Sequence, residues 1–428
     1  MEARADGRPE PTAQSARRIA RNRGVAQTAL IRARVGGSAA ILVLIAGSHA
    51  VIHGYSTLMP LVYPHALTDL HFSLTALGIM VAVANLAGGF LQLGGGALTR
   101  VVRRHVVLGW GALLAGVAGI VTATASGFAQ FFAGNVVRSI VTSPQHPVGN
   151  SLLSDVYPAE RRGLAISGHV AGGNVGTVLL TPAAGILIGV WGWRYAVLLL
   201  TIPALIAGVA ILSSIRESQS VRREQSAARD ILSGIRAVQR SRTLVLIFLA
   251  SLIAAGGRGL GVVTLVVPLY LKLRLHLDDT SVTGLYSLLL LGSVVGPLLG
   301  GVVGDRVGRR AVLVSVYLLS AVITMVLVAT PAQPLLLAVV LALMGMVVYE
   351  ESPLLQTFVA DEAPAIDRDA IFSLYFAVSF GIGALWAVVV GAVLQGSGFS
   401  PVFLIMVASY LVAGVCIAAA RPTGRVRR

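Results

Sequence analysis

Six ionisable residues lie in strongly apolar surroundings, and their types limit the chemistry they can do. His49 and His53 are four residues apart, so on a helix they share one face, a spacing at which two imidazoles can hold one metal ion. The plainer reading is two histidines hydrogen-bonded to neighbours or water. Glu350 and Glu351 are adjacent, about 100 degrees apart around a helix, so only one of them can point straight into a given space. Two carboxylates this close repel, which suits a proton carrier. A static ion pair with Arg138 or Arg258 competes with that reading. Imidazole and carboxylate together suit a transition-metal cation, so His49, His53, Glu350 and Glu351 form a candidate metal set. Pro353 can break the local backbone pattern and expose carbonyls beside them.

The elements that must position these residues are membrane spans. The 428 residues are 56% apolar and only 12% charged, with a mean hydropathy of +0.83; a soluble protein carries about twice that charged fraction. Soluble catalytic domains are therefore excluded first. The chain divides into twelve apolar stretches, at 38–63, 73–98, 105–125, 128–153, 164–190, 194–214, 243–271, 281–304, 311–330, 334–359, 370–394 and 399–420, each near the roughly 20 residues a helix needs to cross a bilayer. The fold class expected is all-α, a polytopic protein with twelve transmembrane helices in two six-helix pseudo-repeats. Its parts are a basic tail (1–37), an N-terminal six-helix bundle (38–214), a linker (215–242), a C-terminal six-helix bundle (243–420) and a short tail (421–428).

The net charge of +15 would suggest nucleic acid in a soluble protein. Here it sorts by side. With the N-terminus in the cytoplasm, the even-numbered connections and both tails hold 28 of the 33 basic residues, and the outer side holds only Arg194, Lys272 and Arg274. The positive-inside rule then places both termini in the cytoplasm, in an inner membrane. The basic tail, with Arg17, Arg18, Arg21, Arg23, Arg32 and Arg34, would lie near anionic lipid. Cys416 is the only cysteine, so there is no disulfide framework. No phosphate-cradling loop or dinucleotide fingerprint is present, no cofactor is expected, and no catalytic motif marks an enzyme.

Sliding the first half along by 206 positions aligns Gly95, Arg100, Arg103 and Arg104 with Gly301, Arg306, Arg309 and Arg310, and Pro147, Asp155 and Arg162 with Pro353, Asp361 and Arg368. The halves are copies of one unit. The pseudo-equivalents of Glu350 and Glu351 are Pro144 and Gln145, followed by His146, so polarity recurs at one depth while the acid occurs once.

The connection Gly301-Val-Val-Gly-Asp305-Arg306-Val-Gly308-Arg309-Arg310 resembles the loop signature of the major facilitator superfamily. The first-half copy is degenerate, with Thr99 in place of the acid and Val102 in place of the second glycine. The resemblance implies alternating access by two rocking halves, with Asp305 in a cytoplasmic gate and a first half that closes differently. It also implies that spans 1, 4, 7 and 10 line the central cavity, and these are the spans that carry His49, His53, Arg138, Arg258, Glu350 and Glu351. Asn135-Val-Val-Arg138 is similar to the family's span-4 arginine site, and Gly172, Gly176, Pro182 and Gly185 are similar to its kinked span-5 motif, with Thr177 where that motif has proline. In size and in these polar residues the chain is also similar to the major-facilitator proteins of magnetosome membranes, which implies iron as cargo and that membrane as a location. Three functions are expected to compete. One is a proton-coupled carrier of a metal cation; another is proton-coupled efflux of drug-like compounds past Tyr55, Phe372, Tyr375, Phe376 and Trp386; the third is a non-transporting receptor or assembly factor.

Overall fold

In a computed structural model of the chain, residues 31–33, 37–217, 227–364 and 368–421 are described. Most of the arginines of the basic tail and most of the 421–428 tail lie outside them. Twelve spans are present, and the helices run past the apolar stretches at many of their ends. Spans 1 to 3 are Gly37–Asp69, Leu74–Val101 and Arg104–Ala123. Span 4 is split into Phe128–Thr142 and Gln145–Val156, and spans 5 and 6 are Ala159–Trp191 and Trp193–Ser214. Span 7 runs from Arg242 to Arg274 with a break after Ala254, and spans 8 and 9 are Asp279–Val307 and Arg309–Ala329. Span 10 is split into Pro334–Val348 and Glu351–Glu362. Span 11 begins with Arg368–Phe376 and ends with Trp386–Ser397, and span 12 is Phe399–Ala419. All except span 4 are long and apolar enough to cross a bilayer as they stand.

Local chemistry sets several of the starts. Ser73 caps span 2 by accepting the Ala76 N–H, Ser241 caps span 7 by accepting that of Leu244, and Asp278 caps span 8 by accepting those of Thr280 and Ser281. The turn between spans 5 and 6 needs Gly192 at φ 81°, and its repeat partner Gly398 makes the turn between spans 11 and 12 at φ 77°. Both segments of span 4 map onto those of span 10 end for end under the 206-residue shift.

Small residues let the spans approach. Gly172 and Gly176 of span 5 lie against the Ala46 and Ala50 backbone of span 1, and Gly292 of span 8 against the Ala342 backbone of span 10. Exposed apolar side chains such as Leu335 and Val415 cover the outside, as a lipid-facing surface requires. The two halves meet on the face away from the tails. There Gln395 of span 11 accepts the Leu74 N–H (2.9 Å), His65 Nε2 lies 3.1 Å from Asp279, and Gly185 packs on Thr283.

The 215–242 linker is not a plain polar connection. Its first residues, Ile215–Glu217 (β2), pair antiparallel with Ile31–Ala33 (β1), a short ladder that the all-helical expectation lacked. Its helix, Ala227–Arg240, has apolar residues at Ile231, Ile235 and Val238, a helical spacing, and packs on the first segment of span 11.

Candidate functional site

Helix breaks organise the polar residues within the membrane. Spans 4 and 10 break at Ser143–Pro144 and Tyr349–Glu350, pairs that coincide under the internal repeat. Span 7 breaks at Ala255 to Arg258, with non-helical backbone continuing through Leu260 and Gly261. Pro353 sits in the first turn of the second segment of span 10, where its missing N–H leaves the carbonyl of Tyr349, four residues earlier and at the break, without that helical bond, as expected.

Arg258 leaves the span 7 break and is 4% exposed. Its Nη2 donates to Glu351 Oε1 (3.1 Å), to the Ser251 carbonyl (2.6 Å) and to Ser251 Oγ (2.9 Å), while Nη1 donates to the Ser379 carbonyl of span 11. The guanidinium carbon lies 5.1 Å from the centre of the Phe380 ring. Glu351 is 2% exposed, and its Oε2 has no partner. The ion pair foreseen as an alternative from the sequence is thus formed, with Arg258 rather than Arg138. Glu350 turns toward span 8, where a methyl group added to Gly300 would come within 2.5 Å of its Oε2. Among the described residues, no cation lies within 4.0 Å of Glu350. Of the aromatics expected to line a substrate path, Tyr375 is buried beside Ser251, and Trp386, partly buried, donates to the Leu252 carbonyl.

Arg138 lies over the Tyr55 ring, 5.0 Å from its centre, and is 3.4 Å from Ser56 Oγ. Its Nε has no partner, and no carboxylate lies within 4.0 Å of it among the described residues. Its neighbours come from span 1, within its own half.

His49 and His53 do come together, with ring centres 4.4 Å apart. Their partners, however, are histidines. His49 stacks on His169 of span 5 at 4.2 Å and meets His146 of span 4 at 4.5 Å. The expected meeting of this pair with Glu350 and Glu351 is replaced by two separate centres, an imidazole cluster in the first half and the Arg258–Glu351 pair in the second. The repeat puts His146 at the depth of Glu350 and Glu351, whereas His169 lies in span 5, outside the spans expected to line the cavity. Recurrence of histidine in spans 1, 4 and 5 was the one signal available.

The gate motif shows why one copy is complete and the other is not. Gly308 starts span 9 at φ 98°, a conformation that favours glycine, whereas Val102 takes extended backbone at φ −115°. The two turns therefore differ in shape, and Val102 is accommodated. In the second half Arg309 bridges Asp361 and Asp305 (3.1 Å to the latter), and Arg310 donates to the carbonyls of Ile417 and Ala418. Arg306 is exposed, as is Gly301's neighbour Val302. In the first half Arg104 is buried and binds Asp155 at 2.7 Å and Glu217 at 2.6 Å, and its own N–H donates to Glu217 at 2.8 Å. Arg103 is exposed at the start of span 3; Gly95 lies within span 2, and the Arg100 side chain is outside those described. The linker's Glu217 thus supplies an acid to the first-half motif. Burial pushes its carboxyl up, but His105 at 3.6 Å and the Arg104 guanidinium outweigh burial and hold it at about 2.

Twelve spans in two repeated halves, broken at matching depths and meeting on one face, define the class of secondary transporters with parallel repeats. The Major Facilitator Superfamily model matches residues 44–387 and 247–428, and the chain belongs to that family. It is 25% identical over 299 residues, 68% of its own length and 72% of the relative's, to the uncharacterized MFS-type transporter YtbD of Bacillus subtilis. It is 26% identical to YfnC, another such transporter of that organism, over 85% of its own length and 88% of the relative's. In fold it is similar to the nucleoside transporter NupG (TM-score 0.75, 13% identity, 90% of this chain and 99% of that one). It is also similar to a D-xylose-proton symporter (TM-score 0.72, 15% identity, 89% and 98%). Neither iron nor magnetosomes figure in these names.

Proposed function

We propose that the chain is a proton-coupled transporter of a small organic solute, with the Arg258–Glu351 pair as its coupling element and both termini on the cytoplasmic side of an inner membrane. The observation that carries this reading is the pair itself, buried between two broken spans with Glu351 Oε2 unpartnered. A proton on Glu351 neutralises one member of the pair, which leaves Arg258 as an uncompensated buried cation. The arrangement of spans 7, 10 and 11 around that cation then loses its electrostatic balance, and rearrangement of the half follows from protonation. The charge distribution supports the orientation, and the nucleoside and D-xylose named for the structural neighbours support an organic cargo.

The test is proton movement in sealed vesicles holding the purified protein and a pH dye, challenged with a panel of small organic compounds. In the wild type a transported compound moves protons with it. Glu351→Gln is expected to exchange the same compound without proton movement. Unchanged proton movement in that variant overturns the coupling role.

A metal cation as cargo is the second reading, favoured by the convergence of His49, His146 and His169. Uptake of Fe2+ by the same vesicles, lost in His49→Ala, is its expected sign. Equal uptake by the wild type and His49→Ala removes it.

A further inference from the structure

Half of the chain's eight histidines meet in one cluster drawn from three spans, and the Arg258–Glu351 pair makes no use of them. We propose that His49, His146 and His169 form a binding site for one first-row transition-metal dication, with His53 at its rim, held entirely by spans of the N-terminal half. Three features of the geometry carry this.

His49 Nδ1 lies 2.8 Å from the His169 carbonyl oxygen, so Nδ1 carries the proton and donates it there. The lone pair is thereby left on Nε2, and a backbone carbonyl holding the far nitrogen is the usual support of a metal-bound imidazole. That free Nε2 faces His146 Nε2 at 3.4 Å. Two nitrogens bound tetrahedrally to one ion at about 2.05 Å lie about 3.3 Å apart. His169 supplies the third feature. It is fully buried, and neither ring nitrogen makes a well-formed hydrogen bond, the Ile45 backbone being a near polar neighbour, an arrangement that coordination would improve.

One ligand atom from each of the three rings lies within 4.8 Å of the others, so closing onto one ion takes small side-chain movements. Glycines make room for the rings: a methyl group on Gly173 would come within 2.8 Å of His49, and one on Gly149 within 3.2 Å of His169. His146 is exposed, which leaves one side of the cluster uncovered by protein. Three imidazoles without a carboxylate select ions such as Zn2+, Co2+ or Ni2+ over Mg2+ and Ca2+. The competing arrangement is a plain imidazole chain, with His146 donating to His49. It leaves His169 without a well-formed hydrogen bond.

The site is read on the purified protein and does not depend on the proton-coupling proposal. Full-length chain without a polyhistidine tag, stripped with chelator in detergent, is titrated with Co2+ alone. One ion per chain is expected, with the intense visible absorption of tetrahedral Co2+, displaced by Zn2+. His49→Ala and His146→Ala are each expected to weaken binding at least tenfold, while Glu351→Gln leaves it unchanged. Because His146 is exposed, His146→Ala is expected to keep the wild-type elution profile and melting temperature, so it decides the matter even if a His169 variant fails to fold. Absence of Co2+ and Zn2+ binding in the wild type, or equal binding by His146→Ala, overturns the proposal. Absence of proton movement in wild-type vesicles, or unchanged proton movement in Glu351→Gln, with metal binding intact counts against the coupling role only.

Discussion

Glu351 has one carboxylate oxygen on Arg258 and the other with no partner, deep in a site that is otherwise apolar or hydroxyl-lined. Removing one member of such a pair leaves the other charge buried and uncompensated, a cost of about 3–5 kcal/mol. Glu351→Gln and Arg258→Met should therefore each lower the melting temperature in detergent. The double variant Arg258→Met/Glu351→Leu should regain most of that loss, because an apolar pair of similar volume removes the desolvation cost as well. A double variant no more stable than the singles would mean that packing, rather than charge, sets the effect. The pair was partly legible beforehand, since two glutamates and two arginines in a dozen spans leave few pairings. The histidine cluster was not. Spacing along one span relates His49 to His53, but no linear feature states that spans 4 and 5 bring His146 and His169 to the same point.

Among the elements, the span 1–span 5 contact is a close approach with a clear sequence cause. Gly172 and Gly176 sit four apart against the backbone of Ala46 and Ala50, so Gly176→Leu must push the two helices apart. Overpacking of this kind costs roughly 1–3 kcal/mol or more, and a clear drop in melting temperature is expected, larger than that of Gly189→Leu, where the space is open. The linker makes a second element-scale claim. The Glu217 carboxyl is held at about 2 against an ordinary 4.5, so its contribution to stability is complete above pH 4.5 and is lost as pH falls toward 2. Melting curves of the wild type and Glu217→Gln should accordingly differ at neutral pH and converge through that window. A difference that persists at pH 2 would assign the effect to shape. Hydropathy gave the spans because crossing a bilayer demands long apolar helices, and the polar 215–242 segment gave the linker. Nothing in its residues announced that Glu217 would reach Arg104, because that contact depends on a ladder with the chain's own N-terminal segment.

At the scale of the whole molecule, the 206-residue repeat was readable from matched glycines and arginines, and it carries through to matched helix breaks and matched turns at Gly192 and Gly398. What the repeat could not give is which face is closed. His65 near Asp279, and Gln395 on Leu74, join the halves on the face away from the tails, while the ion pairs of Arg104 and Arg309 on the tail face each stay within one half or its linker. A rocking transporter must exchange these two situations. In a Cys416→Ala background, spin labels at Val101 and Val307, repeat-related and exposed at the tail-face ends of spans 2 and 8, report one face. Labels at Thr68 and Thr280, both exposed, report the other. Measured in lipid across a pH range and with a transported compound, the two distances should each show two populations that shift in opposite senses, Val101–Val307 shortening as Thr68–Thr280 lengthens. A single unchanging distance at both faces, in protein that still moves solute, would contradict alternating access.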